Sequence, residues 1–168
     1  MIKGKVWKFG ENVDTGQLAP PVAGDLVDAA IGARYCLVNI RPEFAKTVQR
    51  GDIIVAGKNF GCGSSRESAP KNLLALGVAC VIAPSFGRIF LRNAINLGLP
   101  LLECAGAPDV IKEGDMVEAD LASGRIADIT RGRDMRASPL PPVLMEIIEK
   151  GGLMEYARAK LQARRIKS

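Results

Sequence analysis

Apolar and polar positions along the chain fall into short blocks. KGKVWKFG (residues 3–10) alternates and predicts a short strand. ENVDTGQLAPP (11–21) is turn chemistry: Asn, Asp, Thr, Gly and two prolines are expected to continue neither a strand nor a helix. DLVDAAIGARY (25–35) reads as a helical turn or a loop. PEFAKTVQRG (42–51) predicts a helix with Pro42 at its start and Gly51 just past its end. Proline lacks only an N–H that a first helical residue does not need, and glycine tolerates the left-handed stop. GDIIVAG (51–57), an apolar run bounded by glycines, is a buried-strand signal. APKNLLALG (69–77) predicts a short helix stopped by Gly77, and VACVIAPS (78–85) a second buried strand. FGRIFLRNAINLG (86–98) predicts a helix with Phe86, Ile89, Phe90 and Asn93 on one side, and LPLLEC (99–104) a third strand. DMVEADLASGRIADI (115–129) reads as a hairpin turning near Ser123-Gly124. The segment from Pro141 to Arg165 reads as helical, broken at Gly151-Gly152.

Strand, helix, strand, helix, strand between residues 51 and 104 implies an α/β fold with a parallel β-α-β core. The flanking strands extend it into a mixed sheet or a small barrel. With 168 residues, no internal repeat and no long linker, residues 1–168 are expected to form a single domain. Residues from about 143 to 168 would be its C-terminal helical extension.

Composition narrows the chemistry. Aromatics make up only 5%, so the core must be mostly Ile, Val, Leu and Ala. The net charge of +5 is scattered, densest at Arg131–Arg136 and Arg158–Lys167, and no aromatic residues interleave with it for base stacking. There is no histidine, the usual general base near neutral pH, which removes a Ser-His-Asp or Cys-His pair within this chain. The cysteines (Cys36, Cys62, Cys80, Cys104) lie far apart with no CxxC, so no zinc or iron–sulfur site made by this chain alone is expected. No secretory signal and no run of 18 apolar residues is evident, and the chain is expected to be soluble and cytoplasmic, with reduced thiols.

The chemistry-bearing stretch is GKNFGCGSSRES, residues 57–68. A strand, a glycine-rich turn and a helix form the right context for an anion, because free N–H groups at a helix start favour negative charge. The nucleotide fingerprints fail: no Lys follows the last Gly, and Gly61-Cys62-Gly63 continues as Ser64-Ser65-Arg66 rather than x-x-Gly. Ser64 to Glu67 satisfies the capping-box pattern. With Ser64 as N-cap, however, Pro70 would be the sixth helical residue, where its missing N–H and its ring break the helix. The helix should therefore begin between Arg66 and Ala69, with Ser68 as its N-cap, leaving the hydroxyls of Ser64 and Ser65 free. On pattern alone this turn is either a site or scaffold.

The run Gly57-Lys58-Asn59-Phe60-Gly61-Cys62-Gly63-Ser64-Ser65-Arg66-Glu67 closely resembles the signature of the aconitase-family swivel domain. Within that family the chain looks most like the stand-alone small subunits of 3-isopropylmalate dehydratase and homoaconitase. Lys8-Phe9-Gly10 with Asn12-Val13-Asp14-Thr15, Ser85–Phe90 and Arg92–Pro100 resemble further family signatures, in matching order and spacing. The resemblance covers roughly residues 3 to 150. It implies a swivelling-domain β/β/α fold and a hydro-lyase that dehydrates and rehydrates a hydroxy acid. It also implies a large-subunit partner, in a heterodimer or heterotetramer, carrying a [4Fe–4S] cluster. One iron of that cluster acts as Lewis acid on the substrate hydroxyl and a carboxylate. This chain would bind no cofactor or metal itself and would be inactive alone.

The resemblance further implies that Ser64 is the base, taking a proton from the carbon next to a carboxylate, while Ser65 and Arg66 hold a substrate carboxylate. A planar guanidinium matches a carboxylate in bidentate fashion. A serine hydroxyl is a poor base unless its alkoxide is stabilised, which N–H groups at a glycine-rich turn and helix start, with a nearby Arg, can do. Asp14, Thr15, Gly63 and Glu67 are candidate supporting residues; Asp14 and Thr15 also read as a structural turn, and Glu67 as a local ion-pair partner. Arg88 and Arg92, one turn apart, face either a partner or solvent.

Three positions depart from the family. Gly16 stands where a second Asp is usual, and Ser68 where His or Gln often follows Arg-Glu. The loop that reads the substrate's side group is small and apolar, Pro21-Val22-Ala23-Gly24, with no Arg before Arg34. A small branched alkyl group suits that loop better than a third carboxylate. The expected substrate pair is 3-isopropylmalate/2-isopropylmalate, in leucine biosynthesis. Dimethylmalate, citramalate or methylmalate, and homoaconitate are the alternatives within the family, and a non-catalytic anion- or RNA-binding module is the alternative outside it.

Overall fold

The computed structural model describes residues 1–21 and 29–165. Its parallel core forms because the central strands have no polar face. β1 (Ile2–Lys8), β2 (Ile53–Val55), β3 (Cys80–Ala83) and β4 (Leu101–Glu103) pair in parallel. Every residue of β2 and β3 is buried, as strands covered on both sides must be. Ile54, Val81 and Leu101 point to one face and pack with Trp7, Phe44, Leu73 and Phe90. Ile53, Val55, Ile82 and Leu102 point to the other and pack with Val6, Val117 and Ile126.

On the far side of β1, the antiparallel strands β5 (Met116–Ala119), β6 (Arg125–Asp128) and β7 (Arg133–Arg136) complete the order β4-β3-β2-β1-β5-β6-β7. Beyond β7 the chain returns to the opposite edge, where the Ser138 N–H donates to the Glu103 carbonyl at 3.2 Å. The sheet therefore curls around the second cluster. The expected α/β class with a mixed sheet holds.

Helices α1 (Thr15–Leu18), α2 (Ala29–Ala33), α3 (Phe44–Thr47), α4 (Ser68–Ala75) and α5 (Arg88–Asn96) lie before β4. Leu18, Ala33's neighbour Cys36, Phe44, Leu73 and Phe90 carry them onto the first cluster. After β4 come α6 (Ala107–Val110), α7 (Pro142–Glu149) and α8 (Leu153–Arg165), with Gly151 and Gly152 at positive φ breaking the last two as read.

Several expectations need correction. Residues 11–21 are not only a turn: α1 is one helical turn, closed by a capping box in which the Gln17 N–H donates to Asp14 Oδ1 (2.8 Å) and the Asp14 N–H to Gln17 Oε1 (2.9 Å). Such a box satisfies the free donors that otherwise make so short a helix unstable. The helix expected over 42–51 contracts to α3, because Phe44 is pinned edge-on to Trp7 and Phe9 while the Gln49 N–H is drawn to Asp52 Oδ2 at 2.8 Å. Ser68 is the first residue of α4 and not its N-cap; Glu67 takes that place without a capping side-chain bond. In α5 it is Phe90, Ala94 and Ile95 that are buried, and Ile89 is 47% exposed. α6 and β7 carry no clear signal in the hydrophobic pattern. β7 is an edge strand of RDMR, three of whose residues are exposed, so it carries no apolar alternation.

Candidate functional site

Parallel strands bring their C-terminal ends to one edge of the sheet, where ligands of such sheets bind. Residues 57–67 cross that edge, held on both sides. On one side the Asn12 N–H donates to the Lys58 carbonyl (2.9 Å), Gly61 N–H to Val13 (2.7 Å) and Thr15 N–H to Cys62 (2.8 Å). On the other, Phe60 N–H donates to Ser85 (3.1 Å) and Gly87 N–H to Phe60 (2.8 Å), and the Ser85 hydroxyl accepts from Asn59 N–H (3.0 Å). The turn thus continues the sheet, with bridges Asp14 to Cys62 and Phe60 to Phe86.

Glycine is required at Gly61. Its φ is 75°, and a Cβ there would lie 2.2 Å from the Phe90 ring. Gly63, at φ 99°, turns the chain outward beside the Thr15 hydroxyl, 3.3 Å from where its Cβ would be. Asn59 and Asn12 both adopt positive φ, and the Asn59 amide donates to Asn12 Oδ1 at 2.9 Å.

From Gly63 to Ser68 the chain is exposed. The Ser64 N–H donates to Thr15 Oγ1 at 3.1 Å, and the two hydroxyls lie 3.2 Å apart. Thr15 is 1% exposed, so a buried hydroxyl fixes an exposed one. The Ser65 carbonyl accepts from the Asn93 amide at 3.5 Å. Arg66 donates through Nη1 to the Ala19 carbonyl at 3.0 Å and has no carboxylate partner among the described residues. At Gly16 a Cβ would lie 3.0 Å from Asp14 Oδ1 and 3.9 Å from Arg66 Nη1, so the missing side chain leaves one flank of the guanidinium clear. Glu67 pairs with Lys71 across one turn of α4 at 3.1 Å. Asp14 is spent on capping α1, and by holding that turn it sets Thr15 in place. α4 starts at Ser68 without a capping side chain, so its partly positive end also faces this turn.

Of the loop residues proposed to read the side group, Pro21 is exposed, and Val22, Ala23 and Gly24 lie outside the described residues. Asn72 had no reading. It is 2% exposed, donates to the Leu18 carbonyl at 3.0 Å and fastens α4 to the end of α1. Its signal is a polar residue directly before the apolar LLAL run. Cys36, Cys80 and Cys104 are buried, and burial pushes the Cys80 thiol up to about 12. No group of three His, Cys, Asp or Glu among the described residues is placed to hold a metal. The arrangement offers an exposed hydroxyl fixed by a buried one, beside an uncompensated guanidinium and a helix start. That is the equipment for seating a carboxylate and exchanging a proton next to it.

The Aconitase C-terminal domain model matches residues 39–105, the stretch that contains β2, this turn, α4, β3, α5 and β4. The isopropylmalate/citramalate isomerase small subunit of Methanocaldococcus jannaschii is 50% identical, over 96% of this chain and 96% of its own. The 3-isopropylmalate dehydratase small subunit of Caldicellulosiruptor bescii is 48% identical, over 96% of this chain and 98% of its own. A crystal structure of 3-isopropylmalate dehydratase from M. jannaschii superposes with a TM-score of 0.93 at 40% identity, covering 99% of both chains. Among the described residues no helix is long and apolar enough to cross a membrane.

Proposed function

We propose, from the premise that the chain belongs to the family of 3-isopropylmalate dehydratase small subunits, that it is the small subunit of a hydro-lyase isomerising an alkylmalate. It works as a cytoplasmic single swivel domain beside a large subunit that carries the [4Fe–4S] cluster. The observation that carries this reading is the Ser64–Thr15 pair set next to Arg66, which has no carboxylate partner among the described residues, on the exposed edge of the sheet.

Ser64 Oγ takes the proton from the carbon adjacent to a substrate carboxylate and returns it on rehydration. Arg66 grips that carboxylate through donors not used on Ala19, and the Ser65 hydroxyl completes the grip. The guanidinium and the partly positive end of α4, which carries no capping side chain, favour the serine's charged form. Thr15 is a positioning residue: it holds Ser64 by both backbone and hydroxyl. The cluster of the large subunit would supply the Lewis acid that takes up the leaving hydroxyl.

Leading substrate is 3-isopropylmalate. Citramalate is the second reading, favoured by the name of the M. jannaschii relative. Reconstituting the chain with its large subunit and supplying 3-isopropylmalate, citramalate, dimethylmalate and homoaconitate in turn tests both. Turnover is expected on 3-isopropylmalate, with citramalate active as well if the second reading holds. An assembled pair that turns over no alkylmalate would overturn the proposal.

Thr15→Val keeps the buried volume but removes the hydroxyl. It is expected to lower kcat about 10- to 100-fold with KM within about threefold, because a misplaced base costs rate more than binding. Steady-state kinetics check this; an unchanged kcat would remove Thr15 from that role.

A further inference from the structure

We infer that the outward face of α5, formed by Arg88, Ile89 and Arg92, is the surface on which the large subunit seats. The partner's matching surface is acidic around an apolar recess. This rests on the functional reading above and goes beyond it by naming the contact.

Arg88 and Arg92 stand one helical turn apart, and Ile89 sits beside both, so the three share one facet. All are exposed, Ile89 by 47%. Phe90 and Ala94, on the opposite facet, are buried. Neither arginine has an ion pair among the described residues, as is also true of the exposed Arg34, Arg50, Arg133 and Arg136, but only Arg88 and Arg92 among these flank an exposed apolar residue next to the glycine turn. The facet therefore presents two uncompensated positive charges around an exposed branched alkyl group, which suits carboxylates around a recess.

Continuity with the catalytic edge selects the occupant. The N–H of Gly87, which precedes Arg88, donates to the Phe60 carbonyl within the glycine turn, and Phe90 fills the space that Gly61 leaves. Asn93, one turn after Ile89, donates to the Ser65 carbonyl at 3.5 Å. The row Ile89–Asn93 therefore borders Ser64–Arg66 directly. A partner that brings the rest of the site to Ser64 must pass over this row. On α8, where Met154 and Leu161 are exposed, Arg158 pairs with Glu155 and Lys160 with Glu146.

Association of the full-length chain with the large subunit, followed by surface plasmon resonance at two salt concentrations, tests the inference. Arg88→Glu/Arg92→Glu is expected to raise Kd at least ~30-fold and to flatten its salt dependence, since two steering charges are reversed. Ile89→Asp is expected to raise Kd ~10-fold or more. Lys3→Glu, at the opposite end of β1, and Leu161→Asp on α8 should stay within about twofold. Melting of each isolated variant within a few degrees of the wild type shows that the fold is kept. Wild-type association with unchanged Kd in the α5 variants, or a loss confined to Leu161→Asp, would overturn the inference. Failure of the wild type itself to bind would instead strike the functional reading.

Discussion

Ser64→Ala is expected to abolish useful turnover in the reconstituted enzyme, lowering kcat by about 10³-fold or more, the upper range for a lost general base. The same variant should bind the large subunit with unchanged affinity and melt within about 1–2 °C of the wild type, because Ser64 is exposed and surface changes of this size move stability little. The expectation depends on a peculiarity of the chain: with no histidine, this chain has no imidazole to take over the proton. Thr15 cannot substitute, as it is 1% exposed and lies behind the serine. Single-turnover kinetics on the assembled pair, with substrate binding measured in parallel, separate lost chemistry from lost affinity. A kcat within threefold of wild type would take Ser64 out of the base role.

A large effect on stability is expected at Gly61. A methyl group there would enter the Phe90 ring at 2.2 Å, on a backbone already at φ 75°. Left-handed strain in a non-glycine residue costs about 1–3 kcal/mol, and overpacking about as much again. Gly61→Ala should therefore lose about 3 kcal/mol or more, a fall in Tm of roughly 10 °C for a chain of this size, read by thermal melting of the isolated subunit. Gly63→Ala separates the two functions of the turn. Its Cβ would meet the Thr15 hydroxyl at 3.3 Å, so the milder clash presses on the Ser64–Thr15 pair and should cost rate out of proportion to stability. Equal stability losses at both positions would show that the Phe90 contact is not what holds the turn.

Much of this was legible from residue pattern. The three buried strands from 53 to 103 were visible because each is a short apolar run bounded by turn residues. Pro70 placed the start of α4 after the serines, since a proline tolerates only the first helical turn. Ser68 was misassigned as the cap because the helix starts one residue earlier than the capping preference suggests, from a residue already in helical geometry. α1 was hidden by its neighbours: two prolines and a glycine read as turn, while the Asp14–Gln17 box that stabilises it is visible only as a spacing of three. Motif placed Ser64 and Arg66 together, but the geometry that makes Ser64 a candidate comes from Thr15, 49 residues earlier. Pairing at that distance depends on sheet register, and no local pattern carries it. The exposed side of α5 was misjudged for a related reason: Phe86 precedes the helix, so including it rotated the inferred face.

The two-sided attachment of the glycine turn bears on how the enzyme comes together. Seven main-chain N–H groups are engaged along residues 57–63 or its neighbouring segments by this chain alone. The conformational entropy of the turn is thus lost during folding of the subunit and not at the moment of encounter. Association then has little ordering to do at this edge, so its free energy reports the fit of two preformed surfaces, and its rate reports collision and charge and not rearrangement. The glycine turn is thus shaped before any partner arrives.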